Sequence, residues 1–233
     1  MKTRLLLIRH GETNWNKMGR FQGTIDIELT EEGKNQAILL SKRLKNKFDY
    51  IYTSPLKRAR ETAEILTDSS NKDLNIVENM KEINFGSWEG LTIKEIREKY
   101  NDEFNKWKID AQEGKIVGGE FSLKNASIRG TKCILDIVNK HRGQTIAVVA
   151  HGGIIKASLI GLFDWDMTMY HKTVLGNTSI TEIIFTDDLK PVLMKLNDTT
   201  HLKSLKNDIK YVTDIYPIRF HDGVVEAGSA AAR

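Results

Sequence analysis

One cysteine is present among 233 residues. Cys133 closes no internal disulfide, and a chain without disulfides fits a reducing compartment, the cytoplasm. No apolar run reaches the length needed to span a membrane. The first such run, Leu5 to Ile8, is too short for a signal peptide and runs straight into charge. Charge is nearly balanced, with 35 Lys and Arg against 31 Asp and Glu. The lysine excess is scattered along predicted helices as a solvated surface. No basic run is dense enough for nucleic acid, although a mild positive field suits an anionic substrate. Internal repeats are absent. Neither H-x-H nor H-E-x-x-H spacing occurs, so no metal site is expected.

What is present is a soluble composition, 40% hydrophobic and 28% charged, in an alternating pattern. Leu5 to Ile8 reads as a buried strand. A polar loop follows from Glu12 to Asp26, and Thr30 caps a helix to about Lys45 with Ala37, Leu40 and Leu44 on one face. Tyr50 to Thr53 reads as a strand. Ser54-Pro55 reads as the N-cap and first position of the next helix. Ile76 to Val77 reads as a short strand, and amphipathic stretches follow at Thr92 to Tyr100 and Asp102 to Ile109. A long helix from Ser122 to Lys140 shows a face of Ile128, Thr131, Leu135 and Val138. Gln144 to Ala150 is a second buried strand, followed by a helix from Ile154 to Leu162. Ser179 to Phe185 and Val192 to Leu196 close the pattern. Such alternation predicts an α/β fold of three layers, helices on both faces of a mainly parallel sheet. No boundary is legible before about residue 200, and residues 201–233 read as a tail with a small-residue, vector-like end. The sequence carries no signal of oligomeric state.

Two of the six histidines, His10 and His151, follow buried strands directly, and each precedes glycine. His141, His171, His201 and His221 lack that setting and read as surface residues. Ligands gather at the carboxyl ends of parallel strands. Arg9 precedes His10, and Arg58 falls in the first turn after another strand. Arginine forks match phosphate oxygens and stay charged. A neutral imidazole can attack phosphorus, giving a phosphohistidine that divides one hard displacement into two. A carboxyl group must then protonate the leaving alkoxide and take a proton from water. Glu82, beside Phe85 and Trp88, fits that role, but so do Glu78, Glu89 and Glu12. His151 would donate to a phosphoryl oxygen. Two arginines at the site would repel a divalent cation.

R-H-G-E-T-N-W-N, from Arg9 to Asn16, resembles the signature of the histidine phosphatase superfamily in its phosphoglycerate mutase-like branch. Further segments resemble that family in order. They are G-R-F-Q-G-T-I-D-I-E-L-T-E-E-G from Gly19, Y-T-S-P-L-K-R-A-R-E-T-A from Tyr52, E-I-N-F-G-S-W-E-G from Glu82, V-V-A-H-G-G from Val148 and N-T-S-I-T from Asn177. The resemblance spans about residues 3 to 200 and implies one catalytic domain of the phosphoglycerate mutase-like fold, with a helical cap inserted at about 91–122. It implies His10 as the phosphorylated histidine and Glu82 as proton donor and acceptor. Arg9, Arg58 and His151 match the phosphate-binding set. Asn16 matches a polar phosphate ligand, and Gln22, Gly23 and Gly152 match positions lining the pocket. It implies no metal and no cofactor. The implied activity is hydrolysis of small phosphomonoesters, with a cofactor-dependent phosphoglycerate mutase as the alternative. V-G-G-E-F-S-L, Val117 to Leu123, resembles the P-G-G-E-S motif of α-ribazole and broad-specificity phosphatases, with Val117 in place of proline and Phe121 intruding before Ser122. Gln22, and the short span from Glu82 to His151, also point to phosphatases. Specificity is expected in the cap, where Phe104 and Trp107 read as packing residues.

Overall fold

The strand at Thr3–Arg9 (β1) shows why the sheet forms where it does. Leu5, Leu6, Leu7 and Ile8 are each at most 1% exposed. Successive side chains of a strand point to opposite faces. Accordingly Leu5 and Leu7 join one core and Leu6 and Ile8 the other. Burying each side chain contributes about 1.5–3 kcal/mol. In the computed structural model the described residues are 2–68, 72–109, 115–116, 118–120 and 122–202.

Six strands form one sheet: β1, β2 (Tyr50–Thr53), β3 (Leu74–Ile76), β4 (Thr145–Ala150), β5 (Ile180–Phe185) and β6 (Pro191–Asp198). Their order is β3-β2-β4-β1-β5-β6. The first four run parallel, β5 pairs antiparallel with β1, and β6, antiparallel to β5, runs in the direction of the first four. The short helix α1 (Asn14–Lys17) interrupts the loop after β1, with Thr13 and Asn16 closing a capping box. Helices α2 (Glu31–Leu44) and α3 (Lys57–Asp68) cover one face. Thr30 caps α2, and Ala37, Leu40 and Leu44 are buried as expected. The other face carries α4 (Ile93–Lys99), α5 (Asn101–Ile109), α6 (Leu123–Lys140), α7 (Gly152–Phe163) and α8 (Met169–Lys172). This is the three-layer α/β arrangement expected. No helix of the described residues is long and apolar enough to cross a membrane.

The structure corrects several expectations. The buried face of α6 is Ala126, Ser127, Gly130, Cys133, Ile134, Ile137 and Val138, whereas Ile128 is 59% exposed. Small residues let α7 approach closely: a Cβ at Gly130 would lie 2.1 Å from Ser158 Oγ. Cys133 is indeed a packing residue, its thiol pushed up to about 11 mainly by burial. His141 is not on the surface. It ends α6, folds back over the sheet, stacks 3.8 Å from the Tyr50 ring and meets Tyr52 Oη at 2.7 Å. His171 and His201 are half-buried. Helix α3 begins at Lys57, not Pro55, and α7 begins at Gly152, two residues early.

Phe104 and Trp107 of α5 are buried and pack edge-on or tilted against Trp88 and each other. Val117, Phe121, His221 and the tail beyond Leu202 lie outside the described residues.

Candidate active site

Parallel pairing puts Arg9 of β1 beside Ala150 of β4. The residues that follow, His10 and His151, are therefore neighbours, with ring centroids 5.2 Å apart. The His10 amide donates to the Ala150 carbonyl at 3.0 Å. The adjacent end of β2 leads through Ser54 into α3, which delivers Arg58. Three parallel strand ends thus meet at one place.

The two histidines are bonded differently. His10 is 2% exposed. Its Nδ1 lies 2.6 Å from the Gly11 carbonyl oxygen. A carbonyl only accepts, so Nδ1 carries the proton and Nε2 the lone pair. Among the described residues no group bonds that Nε2. Burial, then the Arg58 and Arg9 charges, hold the imidazole well below the usual histidine range, and the Gly11 bond opposes them. His151 is fully buried, and its Nδ1 accepts from Arg58 Nε at 3.1 Å. Its Nε2 therefore carries the proton and donates to Ser54 Oγ at 2.8 Å. Burial, followed by Arg58, keeps it neutral as well.

Arg58 is fully buried, and its two terminal nitrogens donate to the Ile25 and Gly23 carbonyls at 2.8 and 2.7 Å. Burial draws its pKa down to about 10, with Glu82 opposing most strongly, so it is charged at neutral pH. Arg9 donates to the Leu175 carbonyl. A Cβ on Gly152 would touch the Arg9 guanidinium at 3.4 Å, so the first turn of α7 lies against that group.

Glu82 is held by the same helix end. Its carboxylate accepts from the amides of Gly153 at 2.9 Å and Ile154 at 2.8 Å. The Ile83 amide adds a third bond at 2.8 Å. Helix N-termini offer unpaired N–H groups and a positive dipole to such a group. Its rivals sit elsewhere. Glu89 braces Thr24 and Phe85 through their amides, Glu12 accepts from Thr30, and Glu78 pairs with Lys81.

The remaining expected residues form the loop wall. Asn16 Oδ1 caps Thr13 and accepts from Asn177 Nδ2 at 3.1 Å. Gln22 is buried and accepts from Thr13 Oγ1 at 2.9 Å. The Gly23 carbonyl anchors Arg58. Sequence reasoning missed two participants. Ser54 serves His151 besides accepting from the Leu56 amide. Asn177 ties the His10 carbonyl to Asn16, and its place in a quoted motif was the available signal. Among the described residues no group of three His, Cys, Asp or Glu side chains is placed to hold a metal ion.

Such an arrangement brings together a neutral imidazole with an open lone pair, two guanidinium groups, a second neutral imidazole and a carboxyl group. The chain is 34% identical over 200 residues to "Phosphoserine phosphatase 1" of Hydrogenobacter thermophilus, covering 85% of this chain and 94% of that protein. A solved histidine-to-alanine mutant of phosphoserine phosphatase from Entamoeba histolytica, in complex with phosphoserine, superposes with a TM-score of 0.80 at 40% identity, covering 86% of this chain and 99% of that one. A 2,3-bisphosphoglycerate-dependent phosphoglycerate mutase of Bartonella henselae is 36% identical over 172 residues, covering 70% of this chain and 82% of that protein. Residues 5–199 match the family model of the histidine phosphatase superfamily, branch 1, and the chain belongs to that family.

Proposed function

We propose that the protein hydrolyses small phosphomonoesters by passing the phosphoryl group through His10. The observation that carries this reading is the fixed tautomer of His10, with Nδ1–H tied to the Gly11 carbonyl and Nε2 left for phosphorus. Arg9 and Arg58 would hold the phosphoryl oxygens and offset the charge that builds on them. The imidazole N–H of His151 would turn from Ser54 to a phosphoryl oxygen. In the first step the bond from Nε2 to phosphorus forms and the ester P–O bond breaks. Glu82 gives its proton to the departing alkoxide. In the second step water loses a proton to Glu82 and attacks phosphorus, the P–N bond breaks and free phosphate leaves. Each step regenerates the group the other needs.

The family and the phosphatases among its relatives support a phosphoric monoester hydrolase. We infer that the substrate is a small phosphorylated metabolite, with O-phosphoserine the first to test. We place the enzyme in the cytoplasm, the reading that suits a lone buried thiol. Similarity to a mutase keeps the isomerase alternative in view. Phosphate release from O-phosphoserine, and conversion of 3-phosphoglycerate with and without a bisphosphoglycerate primer, separate the two. Steady phosphate release without primer is expected. Rapid primer-dependent isomerisation with little phosphate release would overturn the phosphatase reading.

A further inference from the structure

Lys156 stands four residues along α7 from Gly152, one helical turn and about 6 Å further from the phosphoryl pocket. The helix presents Gly152 to Arg9 and Gly153 to Glu82, so Lys156 continues the pocket side. Its ammonium donates to the Tyr170 carbonyl at 3.0 Å and lies 4.1 Å from the centroid of the Tyr170 ring. An ammonium has three N–H donors, and this bond uses one. Among the described residues no carboxylate stands within ion-pair distance of Lys156. The charges it senses are those of Glu82 and Arg9, and burial draws its pKa down to about 8. It is a half-buried cation with spare donors and, among the described residues, no carboxylate in ion-pair reach, held at Tyr170 one helical turn beyond Gly152.

Tyr170 completes the setting. A Cβ on Gly153 would lie 2.9 Å from the Tyr170 hydroxyl and 2.6 Å from Glu82 Oε1. The hydroxyl therefore stands beside the carboxyl group that would protonate the leaving oxygen. Along α7 the order is phosphoryl pocket, proton donor, then phenol and ammonium. A leaving alcohol that extends past Glu82 along α7 would meet the phenol and the ammonium.

We propose that Lys156 and the Tyr170 hydroxyl form an anion subsite that takes the carboxylate of the leaving alcohol, so that phosphate esters of hydroxy acids are preferred substrates. This rests on the phosphatase reading and specifies its substrate class. An unpaired ammonium gains a charge-assisted bond when such a substrate binds. A substrate without the carboxylate forfeits it. Lys156 is then a specificity-determining residue that takes no part in the chemical step.

Two matched substrate pairs test the idea on the full chain: O-phosphoserine against phosphoethanolamine, and 3-phosphoglycerate against glycerol 3-phosphate. The wild type is expected to prefer the carboxylate-bearing member of each pair. Lys156→Gln keeps a donor for the Tyr170 carbonyl but removes the charge. It should lower kcat/KM for the carboxylate-bearing members about 10- to 100-fold, chiefly through KM, with little change for their partners. Lys156→Arg should retain most of the preference. Equal wild-type rates within each pair, or an equal loss on both members in Lys156→Gln, would overturn the subsite while leaving the phosphatase reading intact. No phosphate release from these four esters or from p-nitrophenyl phosphate would overturn both.

Discussion

The carboxyl ends of β1 and β4 lie side by side, and each carries a histidine followed by a glycine. They hold those histidines in opposite ways. At β1, His10 spends its Nδ1 proton on the neighbouring carbonyl and keeps Nε2 available. At β4, His151 has both ring nitrogens engaged, one by Arg58 and one by Ser54. Burial, with Arg58 the next cause, keeps both imidazoles neutral. The same dipeptide at the same kind of strand end therefore leaves a ring nitrogen open on one side and engages both ring nitrogens on the other. Hydrogen-bond partners, and not the residue type or its place in the sheet, make the distinction.

The sharpest way to break that contrast is to exchange the two losses. His10→Ala should lower kcat on O-phosphoserine by at least about 10⁴-fold, as removal of a nucleophile does. On the proposed mechanism His151→Ala removes one donor to the phosphoryl group and should cost about 10²- to 10³-fold. Circular dichroism should show both variants folded. Equal losses would mean that the two strand ends are not functionally distinct.

Glu82→Gln extends the comparison to the group bound at the start of α7. It should cost about 10²- to 10⁴-fold on an alkyl phosphate, and much less on p-nitrophenyl phosphate, whose leaving group needs little protonation. An equal loss on both substrates would remove Glu82 from the role of acid.

A smaller effect concerns stability and treats the two histidines alike. Both are held neutral in the fold, with pKa values well below the ordinary 6.5. Below about pH 6.5 the unfolded chain binds protons that the folded chain does not. Stability is therefore full above that pH and falls as the pH drops, by about 1.4 kcal/mol per pH unit for each histidine. Urea unfolding at pH 7.5 and 5.5 reads the slope, and His10→Gln should make it shallower. A stability that rises on acidification would contradict the neutral assignment.

How much of this was legible in the sequence varied with the physical signal. Leu5 to Ile8 announced a buried strand, and the repetition of one setting at His10 and His151, the first behind an arginine, pointed to a site. The face of α6 was misread because Ala126, Ser127 and Gly130 carry almost no hydrophobic signal while packing closely, and Ile128 carries a strong one while standing in solvent. His141 looked polar and exposed because the stacking partner Tyr50 lies far away in the chain. Among four acidic residues, local sequence could not single out Glu82. What sets it apart in space is a bond to the Gly153 amide, 71 positions along the chain, and only the family resemblance had pointed there. Ser54 looked like a helix cap, but α3 begins at Lys57 and the Ser54 hydroxyl meets His151 and the Leu56 amide instead, a pairing that local pattern does not encode.

The most direct test of the distinction between the two strand ends is to trap the phosphorylated protein. Acid-free quenching after mixing with radiolabelled O-phosphoserine, followed by peptide mapping, locates the phosphoryl group. An acid-labile label on His10, present in His151→Ala and absent in His10→Ala, is the predicted result. A label on His151, or one that persists in His10→Ala, would contradict it.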